Sequence, residues 1–169
     1  LSNFEAGRNY QDVQDPAITV RVRLIDFEFE HASALIWTTT PWTLPGNLAI
    51  CAGPDIDYVA LKDKETHEVF VLAQARVAAY YKADEEYEIL KSYKGSELKG
   101  LKYEPIFDFF ADNPNSFHIL NDDFVSTEEG TGIVHIAPGC GAEDFALSKD
   151  HGLPVIAPID ENGVFLAGF

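Results

Sequence analysis

The chain has 169 residues, a length that fits one domain with its own hydrophobic core. Apolar residues make up 46% and charged residues 24%, as in a soluble globular protein rather than a disordered or membrane protein. The formal net charge of −16 argues against a general nucleic-acid binder, because phosphate binding depends on lysine and arginine.

An alternation of apolar and polar residues predicts the first strand at residues 18–24, with the sequence ITVRVRL. The apolar phase flips between Leu24 and Ile25, so we expect a bulge or a bend there, as barrels use to turn corners. Further strands are predicted at residues 33–38, 48–51, 57–62, 67–72, 86–93, 116–120, 131–137 and 154–157. So many short strands favour a curled or closed sheet over a flat one.

Two segments have a helical pattern. Residues 73–82, AQARVAAYYK, are rich in alanine, and residues 142–152, AEDFALSKDHG, have acids in the first turn and a glycine at the end. The acidic stretches at residues 83–87 and 121–129 are predicted to be solvent-exposed loops. The fold class that follows is mixed α/β, mainly β, with a curled or closed barrel-like sheet and a few peripheral helices.

The sequence predicts neither a membrane span nor a secretion signal. No apolar run reaches the roughly 18–20 residues of a membrane span, and the first ten residues, LSNFEAGRNY, lack the basic-then-apolar layout of a secretion signal. Two cysteines, Cys51 and Cys140, are too few for a disulfide scaffold and lack the spacing of a zinc site. We therefore expect a cytoplasmic setting without membrane contact, and the absence of methionine predicts a fragment of a longer protein.

Residues 37–47, WTTTPWTLPGN, place three hydroxyl side chains in a row before a proline-rich turn. Neither a strand nor a helix requires such a sequence. Taken alone, it also fits a threonine-rich strand end followed by a loop that proline closes.

Residues 130–145, GTGIVHIAPGCGAEDF, form a second unusual segment, in which a strand passes through a glycine-rich turn into a helix. Such a turn lets the backbone approach a ligand, but GCGAED matches neither the phosphate loop nor the dinucleotide fingerprint. Taken alone, His135 fits a strand histidine whose hydrogen bonds are made to neighbouring groups. Taken alone, Asp144 fits an acid favoured by the helix dipole. Cys140 raises the possibility of a cysteine nucleophile, but no orienting group accompanies it.

Together, these two segments resemble the editing domain of class I aminoacyl-tRNA synthetases, in particular the isoleucyl-tRNA synthetase branch. The resemblance extends from DPAITVRV at residues 15–22 to ENGVF at residues 161–165. It implies that residues 1–169 are a single editing domain excised from a longer synthetase. The signatures of the synthesis site are absent, so no synthetase activity is expected in the fragment.

The resemblance implies post-transfer editing, in which the chain is an aminoacyl-tRNA deacylase. Water would hydrolyse the ester of mischarged valyl-tRNA(Ile), and the size of the pocket would exclude isoleucine. The two amino acids differ by one methylene, which a hydrophobic pocket distinguishes by only about 1–3 kcal/mol. Isoleucyl-tRNA synthetase is itself the standard example of this limit. A second site that admits only the smaller side chain removes the error.

The resemblance also assigns roles to particular residues. Thr38, Thr39 and Thr40 would form the catalytic floor, where they hold the terminal adenosine, the ester and the attacking water. His135 would limit the size of the pocket. Asp144 would bind the α-ammonium group of the substrate through a charge-assisted contact.

Trp42, Thr43 and Asn47 would complete the substrate-binding pocket. The terminal ribose hydroxyl, rather than a protein base, would assist the water, and neither a metal nor a cofactor is required. The implied partners are the 3′ end of mischarged tRNA(Ile), its valine moiety and the rest of the parent synthetase. Cys140 stands where many relatives have another residue, so an essential role for it is not expected.

Two other interpretations stay open. A valyl-type editing domain would act on threonyl-tRNA, but valyl and leucyl relatives carry an Arg-Pro-acid-Thr sequence where this chain has PWTL at residues 41–44. A non-catalytic module would bind only the aminoacyl group or the tRNA end. The intact threonine run and Asp144 argue against this second alternative.

Overall fold

The computed structural model describes residues 16–169. The segment LSNFEAGRNY and the predicted start of the domain at residue 1 lie outside the described residues. The strands are β1 (Ile18–Ile25), β2 (Ser33–Thr38), β3 (Ala49–Ala52), β4 (Asp57–Asp63), β5 (Val69–Ala73), β6 (Tyr87–Lys94), β7 (Lys102–Tyr103), β8 (Ile119–Asn121) and β9 (Ile133–Ile136). The α-helices are α1 (Val77–Tyr80), α2 (Gly95–Leu98) and α3 (Ala142–His151), and 3₁₀-helices span Pro41–Gly46, Gln74–Arg76, Asp84–Glu86 and Asp108–Phe110.

The strands form one curled sheet in the order β6-β4-β5-β2-β9-β3-β8. β1 pairs antiparallel with β2, and the last two residues of β1 pair with β7. A bridge between Lys102 and His118 joins β7 to the residue that precedes β8. The pairings from β1 through β2, β9, β3, β8 and β7 therefore return to β1, which leaves no free edge in this ring. The predicted curled, barrel-like and mainly β fold is confirmed.

The expected bulge or bend at Leu24–Ile25 corresponds to a change of partner strand. Arg23 lies opposite Ser33 of β2, whereas Leu24 lies opposite Tyr103 of β7. Asp26 then ends the strand with a φ of 54°. One strand that serves two neighbours in this way turns the corner of the sheet.

Two predicted elements differ from the structure. Residues 154–157 do not form a strand, because they pack against the turn after β9: a Cβ on Gly139 would lie 2.1 Å from the carbonyl oxygen of Ile156. The helix predicted at residues 73–82 is reduced to a 3₁₀ turn and α1, since Ala73 still belongs to β5 and Tyr81 is extended. β7 is only two residues long, which is too short for a period-2 pattern to reveal.

Alternate residues of β2 face two hydrophobic clusters. Ile36 belongs to the main core, which the ring of strands surrounds, and Leu35 belongs to a smaller cluster on the other face. The largest fully buried aliphatic side chains of the main core are Ile36, Leu48, Ile50, Leu98, Ile119, Ile133 and Ile136. Within residues 16–169, none of the helices has the length and apolar character needed to cross a membrane.

Candidate functional site

The carboxyl ends of β2 and β9 meet at one edge of the sheet. The two strands run parallel, with Trp37 opposite Val134. β2 continues into the threonine run and the 3₁₀-helix Pro41–Gly46, and β9 continues into the glycine-rich turn that leads to α3. The two unusual segments of the sequence are therefore neighbours in the fold.

A cavity of about 290 Å³ lies between these segments, and we call it the threonine cavity. Its lining residues are Trp37, Thr38, Thr39, Thr40, Thr43, Val134, His135, Cys140, Gly141 and Asp144. All three threonines of the run are present, together with Thr43, His135 and Asp144 from the predicted binding set. Asp144 is the one acidic or basic side chain, histidine aside, in this lining.

The hydroxyl groups of the threonine segment are linked to one another. The Thr40 N–H donates to Thr38 Oγ1 over 3.0 Å, and the Oγ1 atoms of these two residues are 3.2 Å apart. Thr43 Oγ1 donates to the carbonyl oxygen of Thr40 over 2.8 Å. Thr39 is exposed and its hydroxyl stands outside this network. The network fixes the hydroxyls of Thr38 and Thr40 and leaves Thr39 accessible.

His135 forms a buried wall of the cavity. The residue is 7% exposed, and its Nε2 lies 2.9 Å from Thr43 Oγ1. Thr43 Oγ1 also donates to the Thr40 carbonyl, so the tautomer of His135 with a proton on Nε2 would complete this arrangement by donating to Thr43 Oγ1. Burial lowers the pKa of His135 from 6.5 to about 4, so the imidazole is neutral at pH 7.

Asp144 lies in the first turn of α3, where it also closes the preceding loop. Its Oδ2 accepts a hydrogen bond of 2.8 Å from the N–H of Ala137. Its other carboxylate oxygen makes no hydrogen bond to another residue of the described chain. Burial raises the pKa of Asp144, the Ala137 hydrogen bond opposes this shift, and the charge of Glu143 adds to it. The carboxylate is thus partly desolvated and has no cationic partner among residues 16–169.

Cys140 lies at the rim of the cavity and is exposed. Burial and the charge of Asp144 raise the pKa of its thiol. An activated cysteine nucleophile has the opposite shift, because a positive neighbour stabilises its thiolate. Among residues 16–169, no group of three or more His, Cys, Asp or Glu side chains is placed to hold a metal ion.

Trp42 and Asn47, for which the resemblance implies a place in the substrate-binding pocket, do not line the threonine cavity. The 3₁₀-helix Pro41–Gly46 turns Thr43 inward and leaves Trp42 44% exposed. Asn47 is buried elsewhere: its Nδ2 donates to the carbonyl of Ala49, and its Oδ1 accepts a hydrogen bond of 2.6 Å from the Tyr103 hydroxyl. These contacts give Asn47 a structural role.

Trp37 also lines the threonine cavity and is not among the predicted site residues. It borders the threonine cavity and two neighbouring cavities. A Cβ on Gly130, whose φ is 63°, would lie 2.8 Å from the Trp37 ring, so only glycine permits this contact. The position of Trp37 directly before the threonine run, with Gly130 and Gly132 just before the facing strand β9, is the signal that could have identified it.

Relatives of the chain were found by sequence. No protein-family model matches it. The chain is 48% identical over 168 residues to the isoleucine–tRNA ligase of Bdellovibrio bacteriovorus, which covers 98% of the chain and 16% of that relative. It is 45% identical over 172 residues to the cytoplasmic isoleucine–tRNA ligase of Mus musculus, which covers 98% of the chain and 14% of that relative. The chain therefore spans about a sixth of the length of the curated relatives it matches.

Solved structures share the fold. The crystal structure of GlLeuRS-CP1 superposes with a TM-score of 0.64 at 17% identity and covers 85% of this chain and 70% of its own. The editing domain of P. knowlesi cytosolic leucyl-tRNA synthetase gives 0.63 at 15% identity, with coverages of 79% and 62%. The chain is therefore a homologue of isoleucine–tRNA ligases that has the fold of a class I aminoacyl-tRNA synthetase editing domain.

Proposed function

We propose that the chain is an aminoacyl-tRNA deacylase that hydrolyses valyl-tRNA(Ile). Water attacks the ester carbonyl carbon, the bond between this carbon and the ribose oxygen breaks, and valine and tRNA with a free terminal hydroxyl are released. We also propose that residues 1–169 work as one editing domain within a longer, cytoplasmic synthetase. The observation that carries the proposal is the threonine cavity, in which a single carboxylate accompanies a row of hydroxyl groups.

Asp144 binds the α-ammonium group of the substrate. Its carboxylate is the one acidic or basic group in the lining, histidine aside, and burial has already removed part of its hydration. A desolvated carboxylate without a cation gains more from an ammonium group than an exposed one does, because the effective dielectric constant is lower. An acyl ester without an amino group lacks this contact, so Asp144 selects aminoacyl esters.

The threonine hydroxyls hold the ester and the water. Each hydroxyl both donates and accepts, so the floor can bind the ester carbonyl oxygen and orient a water molecule at the same time. Thr39 has the accessible hydroxyl, while Thr38 and Thr40 are held in place by hydrogen bonds. None of them acts as a nucleophile, and the neighbouring ribose hydroxyl of the terminal nucleotide assists the water.

His135 and Thr43 set the size limit. Their hydrogen bond joins the facing segments and ties the imidazole to the 3₁₀-helix, so this wall resists displacement. A side chain one methylene longer than valine has to push against a buried ring. Exclusion by such a clash gives a larger discrimination than the favourable burial of a methylene in a matching pocket.

The test is deacylation by the chain of valyl-tRNA(Ile), isoleucyl-tRNA(Ile) and threonyl-tRNA(Val). We expect hydrolysis of the valyl ester and survival of the isoleucyl ester. Preference for the threonyl ester would identify a valyl-type editing domain. Binding of the aminoacylated ends without any release of amino acid would identify a non-catalytic module.

A further inference from the structure

A second cavity lies beside the threonine cavity and shares Trp37 with it. It measures about 460 Å³, and we call it the arginine cavity. Its lining residues are Trp37, Arg76, Ala79, Tyr80, Glu129 and Gly130. A ligand that is longer than an aminoacyl ester can therefore continue past the indole of Trp37 into the arginine cavity.

Arg76 carries a charge that no carboxylate neutralises within the described part of the chain. Its Nε donates to the carbonyl of Gly130 over 2.8 Å, and its Nη1 donates to the carbonyl of Glu128 over 3.2 Å. The other two arginines of residues 16–169, Arg21 and Arg23, each form an ion pair with a glutamate. In a chain with a net charge of −16, a guanidinium group that has no carboxylate of residues 16–169 within 4 Å is a distinctive feature.

The remaining N–H groups of Arg76 suit a phosphate. A guanidinium group has five N–H donors in a planar fork, and the two backbone carbonyls use only some of them. The first of these bonds goes to Gly130, which lies against the Trp37 ring, and the second goes to Glu128 of the same loop, so the cation, the loop and the indole keep fixed relative positions. A donor group fixed in this way loses little entropy when it binds an anion.

We propose that Arg76 binds the phosphodiester group that precedes the terminal nucleoside of the tRNA substrate. This inference rests on the proposed deacylase function, because it requires the aminoacyl group to lie in the threonine cavity. The exposed face of Tyr80 offers a surface on which the attached base stacks. The carboxylate of Glu129, in the same lining, opposes the phosphate and keeps the interaction weak and sensitive to salt.

The test compares two substrates of the wild-type chain and of Arg76→Gln. One is valyl-tRNA(Ile), and the other is 3′-valyladenosine, which has no phosphodiester. We expect Arg76→Gln to raise the KM for valyl-tRNA(Ile) about tenfold and to leave the KM for valyladenosine unchanged. The slope of log KM against log salt concentration should also fall by about 0.7, the value for one phosphate contact on a single strand.

Two further variants serve as controls: one tests the direction of the charge effect, and the other tests whether the effect is specific to the arginine cavity. Glu129→Gln removes the opposing charge, so it should lower the KM for valyl-tRNA(Ile) while the KM for valyladenosine stays constant. Arg21→Gln makes the same change of net charge in a separate cavity and should leave both KM values close to those of the wild type. Thermal unfolding of each variant verifies that it is folded.

The inference is overturned if Arg76→Gln raises both KM values equally, since Arg76 would then act only by holding the loop. An unchanged KM for valyl-tRNA(Ile) would also overturn it. If the wild-type chain cleaves neither substrate, the proposed deacylase function is what has failed. Fluorescence anisotropy with the labelled RNA trinucleotide CCA then tests Arg76 directly: equal affinity of the wild type and Arg76→Gln for this probe would refute the phosphate site.

Discussion

Burial shifts the pKa values of two side chains in the threonine cavity in opposite directions. It raises the pKa of Asp144 and lowers that of His135, because in both cases a desolvated charge is disfavoured. His135 is consequently neutral and does not compete with a cationic ligand for the Asp144 carboxylate. A cationic ligand that enters the cavity stabilises the ionised form of Asp144. The electrostatics of the cavity therefore favour an ammonium group.

We expect Asp144→Asn to reduce the deacylation of valyl-tRNA(Ile) by about a hundredfold, roughly 2.7 kcal/mol in the barrier, because the ammonium group loses its charged partner. The asparagine oxygen still accepts the hydrogen bond from Ala137, so the thermal midpoint should stay the same or rise. Glu143→Gln is the matched control, since Glu143 is an exposed acid in the same helical turn. Equal losses in the two variants would show a general charge effect.

We expect His135→Ala to let the chain hydrolyse isoleucyl-tRNA(Ile), because the wall of the cavity is removed. Activity on the valyl ester should persist, since no proton transfer is assigned to the imidazole. Release of isoleucine from the charged tRNA measures the effect. Cys140→Ser, which changes the same lining without enlarging it, should still spare the isoleucyl ester. If His135→Ala also spares the isoleucyl ester, His135 does not set the size limit.

The lowered pKa of His135 predicts a dependence of stability on pH. The unfolded chain binds a proton on this histidine near pH 6.5, whereas the folded chain does so only near pH 4. The contribution of the neutral His135 to the free energy of unfolding is therefore fully present above pH 6.5. It is lost as the pH falls from 6.5 toward 4, by roughly 3 kcal/mol in total. Urea unfolding between pH 7 and 5 should show this decline in the wild type and a weaker decline in His135→Gln.

At the scale of elements, a few side chains connect strands that are distant in the sequence. The Thr43–His135 hydrogen bond ties the 3₁₀-helix Pro41–Gly46 to β9, and the Asn47–Tyr103 hydrogen bond ties the residue after that helix to β7. β7 has only two residues and still closes the ring between β1 and β8. The position of the threonine segment thus depends on the closure of the sheet.

We expect Asn47→Ala to lower the free energy of unfolding by about 1–3 kcal/mol, because it leaves the buried Tyr103 hydroxyl without its partner. Tyr103→Phe should have a similar cost, and the double variant should cost less than the sum of the two. The kinetic parameters for valyl-tRNA(Ile) should stay close to the wild type below the unfolding transition. A large loss of kcat/KM in folded Asn47→Ala would restore the predicted role of Asn47 in the substrate pocket.

At the scale of the whole molecule, the net charge of −16 repels tRNA, which is itself a polyanion. We place the favourable contacts in the neighbourhood of Trp37, where Arg76 has no carboxylate partner among residues 16–169. We therefore expect the isolated chain to have a much higher KM for valyl-tRNA(Ile) than a full-length parent synthetase, with a smaller difference in kcat. Deacylation measured across tRNA concentrations tests this, and saturation of both proteins at one concentration would contradict it.

Local features of this protein could be predicted from its residues alone. A strand such as β1 shows its period-2 pattern within eight residues, and α3 begins with acids and ends at Gly152 with a φ of 64°, as capping rules require. The two segments that carry the chemistry are also continuous in the sequence, so their residue types could be recognised before their positions were known.

Which side chains share the cavity depends on contacts between distant segments of the folded chain. Thr43 points inward and its neighbour Trp42 outward because the 3₁₀-helix turns between them, and Asn47 faces Tyr103 because β7 closes the ring. Arg76 reaches Gly130 across 54 positions of the chain. A local pattern reports which face of an element is buried, but pairings between distant segments depend on how the whole sheet curls. These pairings place Trp37 beside the threonines and Arg76 beside Trp37.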